Sequence, residues 1–153
     1  MDFLQINEIR FEDLMPLIKE CLDKGHSIWI YPKGVSMRPM IRQEIDRVLL
    51  SPLPDKLSKY DLPFYQRDDG QFVLHRIIRV GETYTCVGDN QVDLETGVRR
   101  EQMIAIVTAF SRGKKQISVN TFGYKLYCRY CHYFRLPRHL WRRGLGWLRR
   151  HLK

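Results

Sequence analysis

The chain has 153 residues, 44% of them hydrophobic and 12% aromatic, with a net charge of +9. That size and composition describe one folded domain plus an appendage and exclude a disordered chain. No apolar run approaches the roughly 18 to 20 residues of a membrane-spanning helix. Residues 1–10 show no basic stretch followed by an apolar one, so no secretory signal is expected. Reduced thiols and a cytoplasmic main body are the corresponding expectation for Cys21, Cys86, Cys128 and Cys131.

In chain order, Phe11 to Lys24 is predicted to be a helix, with Leu14, Leu17, Ile18, Cys21 and Leu22 at helical spacing and Gly25 as its stop. His26 to Tyr31 is β-branched and aromatic and predicts a buried strand. Lys33 to Met40 then holds Ser36 between Gly34 and Pro39, a turn that leads into a second strand at Arg47 to Leu50. Ser51 to Lys59 is a loop, and Tyr60 to Arg67 is a strand closed by Asp68-Asp69-Gly70. Phe72 to Val80 is predicted as one strand, paired through Gly81-Glu82 with Thr83 to Val87. Gly88-Asp89-Asn90 ends that strand, and Gln91 to Arg100 is irregular and polar. Met103 to Phe110 and Gln116 to Val119 form a final hairpin. Short strands joined by Gly, Pro and Asp turns predict a mainly β, compact antiparallel domain over 26–123, with a helical segment over 1–25 before it.

The tail is different. Residues 1–123 carry 17 Lys/Arg and 17 Asp/Glu, whereas 124–153 carry nine Lys/Arg and no acid. From Leu136 onward, leucines and tryptophans alternate with arginines at helical spacing, the composition of a helix lying on anionic lipid. A helix docked on the β domain and a nucleic-acid patch are the competing explanations. The membrane-surface reading is preferred, and no nucleic-acid partner is expected. Cys128-Arg129-Tyr130-Cys131-His132 spells a haem-attachment pattern, but without export and without enough neighbouring ligands neither haem nor a metal is expected.

Three polar groups stand out within the β region. Ser36 occupies a glycine- and proline-bounded turn. His75 interrupts an apolar strand and has the intrinsic pKa of a general base. Asp89 and Asp93 supply carboxylates just beyond the paired strand, and either could orient the imidazole. Acyl transfer needs this combination, because a serine hydroxyl is inert at neutral pH without a base. Backbone N–H groups around Gly34 and Met37 are the candidate oxyanion donors.

Gly34-Val35-Ser36-Met37-Arg38-Pro39-Met40, Asp46-Arg47-Val48, Val73-Leu74-His75-Arg76-Ile77-Ile78 and Gly88-Asp89-Asn90 together resemble the ordered motifs of signal peptidase I, a family grouped with LexA-type peptidases. The resemblance covers about residues 26–110 and is nearest the endoplasmic-reticulum type, which carries histidine where other members carry lysine. It implies a coiled β-sheet domain, Ser36 as nucleophile, His75 as base, and Asp89 or Asp93 as the third group. The membrane anchor usual in that family has no counterpart before Ser36. The expected activity is therefore cleavage of a precursor peptide by an enzyme held peripherally at the inner membrane face through residues 136–153, without a cofactor. The alternative is a catalytically silent peptide-binding or membrane-adaptor module.

Overall fold

A computed structural model describes residues 11–141. Helix α1 (Phe11–Asp23) precedes nine strands: β1 (Ile28–Ile30), β2 (Val48–Ser51), β3 (Pro63–Gln66), β4 (Phe72–Leu74), β5 (Arg76–Val80), β6 (Tyr84–Val87), β7 (Glu95–Val98), β8 (Met103–Arg112) and β9 (Lys115–Ser118). Helix α2 (Phe122–Tyr133) follows. The fold is mainly β and built from two antiparallel sheets.

The larger sheet has the order β1-β2-β8-β3-β4, with β9 also paired to β8. The smaller is β5-β6-β7. Side chains alternate across a strand, and that alternation assigns the two faces of the larger sheet to two cores. Phe64 and Leu74 join a cluster with Met15, Ile18 and Leu22 of α1 and with Tyr124 and Cys128 of α2. Their neighbours Tyr65 and Val73 face the other way and pack with Ile77, Cys86 and Val98 of the smaller sheet.

Four local expectations change. Within α1 the buried stripe is Met15, Ile18 and Leu22, while Leu14 and Leu17 are exposed, so the helix is rotated relative to its predicted apolar face. Gly25 does end it: at φ +80° it donates to Leu22 O and lets His26 donate to Cys21 O, the paired bonds of a Schellman cap. Strand β1 is half-buried, because it forms an edge of its sheet and has a partner only in β2. The predicted strand 72–80 is two strands that belong to different sheets, and the break falls at His75. Here Tyr60 N and Ile77 O, then Ile77 N and Asp61 O, join β5 to the loop before β3, which pulls the chain off the larger sheet. Finally, the region expected to be irregular contains β7, paired to β6 through Tyr84↔Val98 and Cys86↔Glu95.

Helix α2 docks on the β domain. Thr121 caps it by accepting from Tyr124 N, and Tyr124, Cys128 and Cys131 recur at i, i+4 and i+7 as its buried face. The first part of the tail is thus a docked helix. Its outer side exposes Phe122, Leu126, Tyr130 and Tyr133, and the helical residues 135–141 expose Leu136, Leu140 and Trp141. Among the described residues no helix is long and apolar enough to cross a membrane. The predicted amphipathic pattern beyond Trp141 lies outside the described residues.

Candidate functional site

Ser36 lies in the turn between β1 and β2. Gly34 opens the turn at φ +93°, a conformation that glycine adopts without strain. Arg38 N donates to Val35 O and Ile41 N to Met37 O, so the turn is closed by its own backbone. Met37, Met40 and Ile41 are buried and anchor it in the larger core. Behind it, buried Asp46 accepts from Arg42 N, Nε and Nη2 at 2.8 to 2.9 Å, which fixes the loop leading to β2.

The Gly88-Asp89-Asn90 loop grips this turn. Asn90 N donates to Ser36 O at 2.7 Å, and Asn90 Nδ2 donates to Val35 O at 3.3 Å. A Cβ on Gly88 would fall 2.7 Å from Ser36 O and 2.9 Å from Ser36 Cβ. Glycine is needed here for close approach of two backbones.

Ser36 and His75 line one cavity of about 200 Å³, together with Gly34, Met37, Arg67 and Gln91. An adjoining, mainly apolar cavity of about 260 Å³ shares Pro32, Lys33, Gln71, Phe72 and Leu74 with it and adds Ile30, Phe64 and, at one side, Glu12. The serine, the imidazole and an apolar recess thus open onto one region.

The carboxylate at His75 is neither of the two expected. Glu95 Oε2 lies 3.3 Å from His75 Nδ1. Tyr65 Oη donates to the same Oε2 at 2.8 Å, and Arg67 donates Nε and Nη2 to the two Glu95 oxygens at 2.7 Å each. Tyr65 Oη also lies 3.4 Å from Nδ1. With the tyrosine proton engaged by Glu95, we assign the imidazole hydrogen to Nδ1, where it faces the Glu95 carboxylate and the Tyr65 oxygen. Nε2 is then the unprotonated nitrogen, the form that a general base requires.

Asp89 has a different role. It is buried and accepts from Arg76 Nε and Nη2 at 2.8 and 2.7 Å. Arg76 is itself fully buried, donates to Tyr124 Oη at 2.7 Å and to Cys128 Sγ at 2.9 Å, and lies over the rings of Tyr124 and Tyr127. Arg138 donates to the Asp89 carbonyl. The Asp89 carboxylate therefore ties the serine-gripping loop to α2. Asp93 is exposed. Gly34 N donates to Gln43 Oε1 at 3.2 Å, so that expected oxyanion donor is already engaged, while Met37 lines the cavity.

Comparison with protein-family models, with curated proteins and with solved structures finds no match. The chemistry of the site follows from its geometry. Burial lowers the His75 pKa below the ordinary 6.5, and nearby Glu95 only partly offsets this, so the imidazole is neutral at neutral pH. Burial alone would raise Glu95, but the hydrogen bonds from Arg67 and Tyr65 outweigh it and hold the carboxyl below its usual range. A neutral base beside a fixed anion is suited to accept a proton and to have the resulting imidazolium stabilised.

Glu95, Tyr65 and Arg67 escape a reading of the sequence. Tyr65 on β3 and Arg67 just past its end are two residues apart in one extended run, which is the one cue that they act together. Glu95 becomes visible once β7 is recognised, because its pairing with Cys86 brings it alongside the sheet that follows His75. The Cys-x-x-Cys-His pattern dissolves into packing: Cys128 and Cys131 are buried thiols on the docked face of α2. Among the described residues no cluster of His, Cys, Asp or Glu could hold a metal.

Proposed function

We propose that this chain is a serine endopeptidase of the signal peptidase kind, its β domain being the coiled sheet of that group. Ser36 Oγ attacks a peptide carbonyl, and His75 Nε2 takes the hydroxyl proton and passes it to the leaving amine. Glu95 holds the imidazole in its Nδ1–H form and stabilises the imidazolium. Water then hydrolyses the acyl-enzyme, with His75 again as base. The observation that carries this reading is the common cavity of Ser36 and His75, with Glu95 and Tyr65 fixing the histidine from behind.

The substrate is an extended precursor peptide whose apolar side chain enters the recess formed by Ile30, Phe64, Phe72 and Leu74. Support for work at an anionic membrane surface comes from the exposed aromatic and leucine side chains of α2 and 135–141, in a tail with nine cations and no acid.

Incubation of the intact chain and its Ser36→Ala variant with a diverse peptide library, read by mass spectrometry, tests the proposal. New termini generated by the parent and absent with S36A are expected, along with fluorophosphonate labelling of the parent only. Equal products from both proteins would overturn it, and unlabelled protein that still binds peptides would point to the silent module.

A further inference from the structure

Helix α2 carries cations along its length that peptide cleavage does not use. Lys125, Arg129 and His132 recur at i, i+4 and i+7 and share one face of the helix, and Arg135 follows just beyond its end. That face looks onto the loop before β3. The Tyr60 ring meets the His132 ring edge-on, with centroids 5.6 Å apart, and Lys59 Nζ lies 5.1 Å from the centroid of the same Tyr60 ring. Between this loop and α2 is a cavity of about 340 Å³ lined in part by Lys59, Lys125 and Arg129. Asp61 is the one carboxylate among its described lining residues, and an oxygen of that carboxylate already accepts from Ser58 N at 2.7 Å.

Polar atoms at this corner are not satisfied among the described residues. His132 Nδ1, Arg135 Nε and Arg135 Nη1 are buried and have no hydrogen-bond partner within the described structure. A buried donor left unpaired is unfavourable, and more so when it is charged. Like charge adds to this, since burial and then Lys59 and Arg135 push the His132 pKa down. An anion placed here would relieve both costs. The three groups belong to three separate side chains, Lys59 of the loop, His132 of α2 and Arg135 just beyond its end. Three separate donors match the several oxygens of a tetrahedral acceptor better than the two coplanar oxygens of a carboxylate.

We propose that Lys59, His132 and Arg135 form a binding site for a phosphate group, separate from the Ser36 cavity. The same chemistry is offered by a soluble phosphate and by the headgroup of an anionic phospholipid. The second fits the setting, because exposed Tyr133, Phe134 and Leu136 flank the site. In that form the site would fix where along the tail the membrane is met. Its existence does not depend on Ser36 being a nucleophile.

The test follows the imidazole signals of His132 in the full chain by NMR, assigned with His132→Asn. Titrations use inorganic phosphate, chloride at matched ionic strength, phosphatidylglycerol vesicles and phosphatidylcholine vesicles. Phosphate should raise the His132 pKa by about one unit or more, since a nearby anion favours the charged ring, whereas chloride should not. Lys59→Gln, at an exposed position, should keep the thermal midpoint and weaken phosphate binding about tenfold, as should Arg135→Gln. A response to phosphatidylglycerol alone would support the site and identify the lipid as its source, and a response to both probes would support it for either source. No response to either probe would overturn it. So would vesicle binding that leaves His132 and both variants unaffected, and in that case the tail would still be a membrane contact.

Discussion

The backbone N–H of Asn90 donates to the carbonyl oxygen of Ser36 at 2.7 Å. Through this bond the Gly88-Asp89-Asn90 loop holds the serine turn directly, and Gly88 is pressed against the same residue. Gly88→Ala would drive a methyl group into Ser36 O and Cβ. We expect a stability loss of about 1–3 kcal/mol from overpacking, with a much larger fall in turnover, because small misplacements at a nucleophile cost about a hundredfold. Denaturant unfolding beside peptide cleavage rates would separate the two. Unchanged turnover in the folded variant would contradict the importance of the contact.

Glu95→Gln removes the anion at His75 Nδ1 while keeping the shape. Turnover should fall by about 10²- to 10⁴-fold, the range associated with losing a base or the group that orients it. The acidic limb of kcat/KM in the parent should lie below the ordinary histidine value of 6.5, because burial lowers His75. In the variant it should move lower still, since Glu95 acts to raise that pKa. A limb that stays in place would mean that Glu95 does not act through His75.

Asp89 offers the contrasting case. Its carboxylate forms a buried pair with Arg76, and removal of one partner from such a pair costs about 3–5 kcal/mol. Asp89→Ala should therefore lower the unfolding midpoint strongly, while the acidic limb of whatever folds moves down less than in Glu95→Gln, because Asp89 acts more weakly than Glu95 on His75. A shifted pH profile with normal stability would instead assign Asp89 to the base.

Acid should destabilise the fold in two steps. Folded His75 resists the proton that the unfolded chain accepts near 6.5, so stability present above that value is lost as the pH falls below it. Glu95 contributes a second loss below 4.5, since its folded pKa is also lowered. Chemical denaturation as a function of pH measures both, and His75→Asn should shrink the first step to the share that His132, whose pKa is also lowered, contributes.

Much of the β domain was readable because its turns carry their own chemistry. Asp68-Asp69-Gly70, Gly81-Glu82 and Arg112-Gly113 each fall between apolar runs, and the hairpins formed there. What escaped depended on contacts distant in the chain. Phe72 to Val80 has uninterrupted strand character, and nothing local announces that Leu74 pairs with Phe64 while Arg76 pairs with Val87. Ser36 and His75 stood out as polar residues in unusual settings, and they share a cavity. Asp89 stood out equally, but its strong local signal reflects a buried ion pair with Arg76, a residue that looks like an ordinary strand arginine. Glu95 did not stand out within the polar stretch Gln91 to Arg100, because the short, glycine-containing strand around it has little propensity of its own.

The break at His75 has a further consequence. Ser36 is anchored to the larger sheet, and Tyr65 and Arg67 come from or adjoin its strand β3, whereas Glu95 belongs to the smaller sheet. The imidazole spans the joint between the two layers, which is held by the apolar cluster of Tyr65, Val73, Ile77 and Cys86, by the bonds of Tyr65 and Arg67 to Glu95, and by the backbone bonds of Ile77 with Tyr60 and Asp61. Slippage of one layer against the other would misalign the proton relay while every strand remained paired. If the proposed mechanism holds, heat inactivation should then precede loss of secondary structure, and activity would report on the interlayer contact before the fold does.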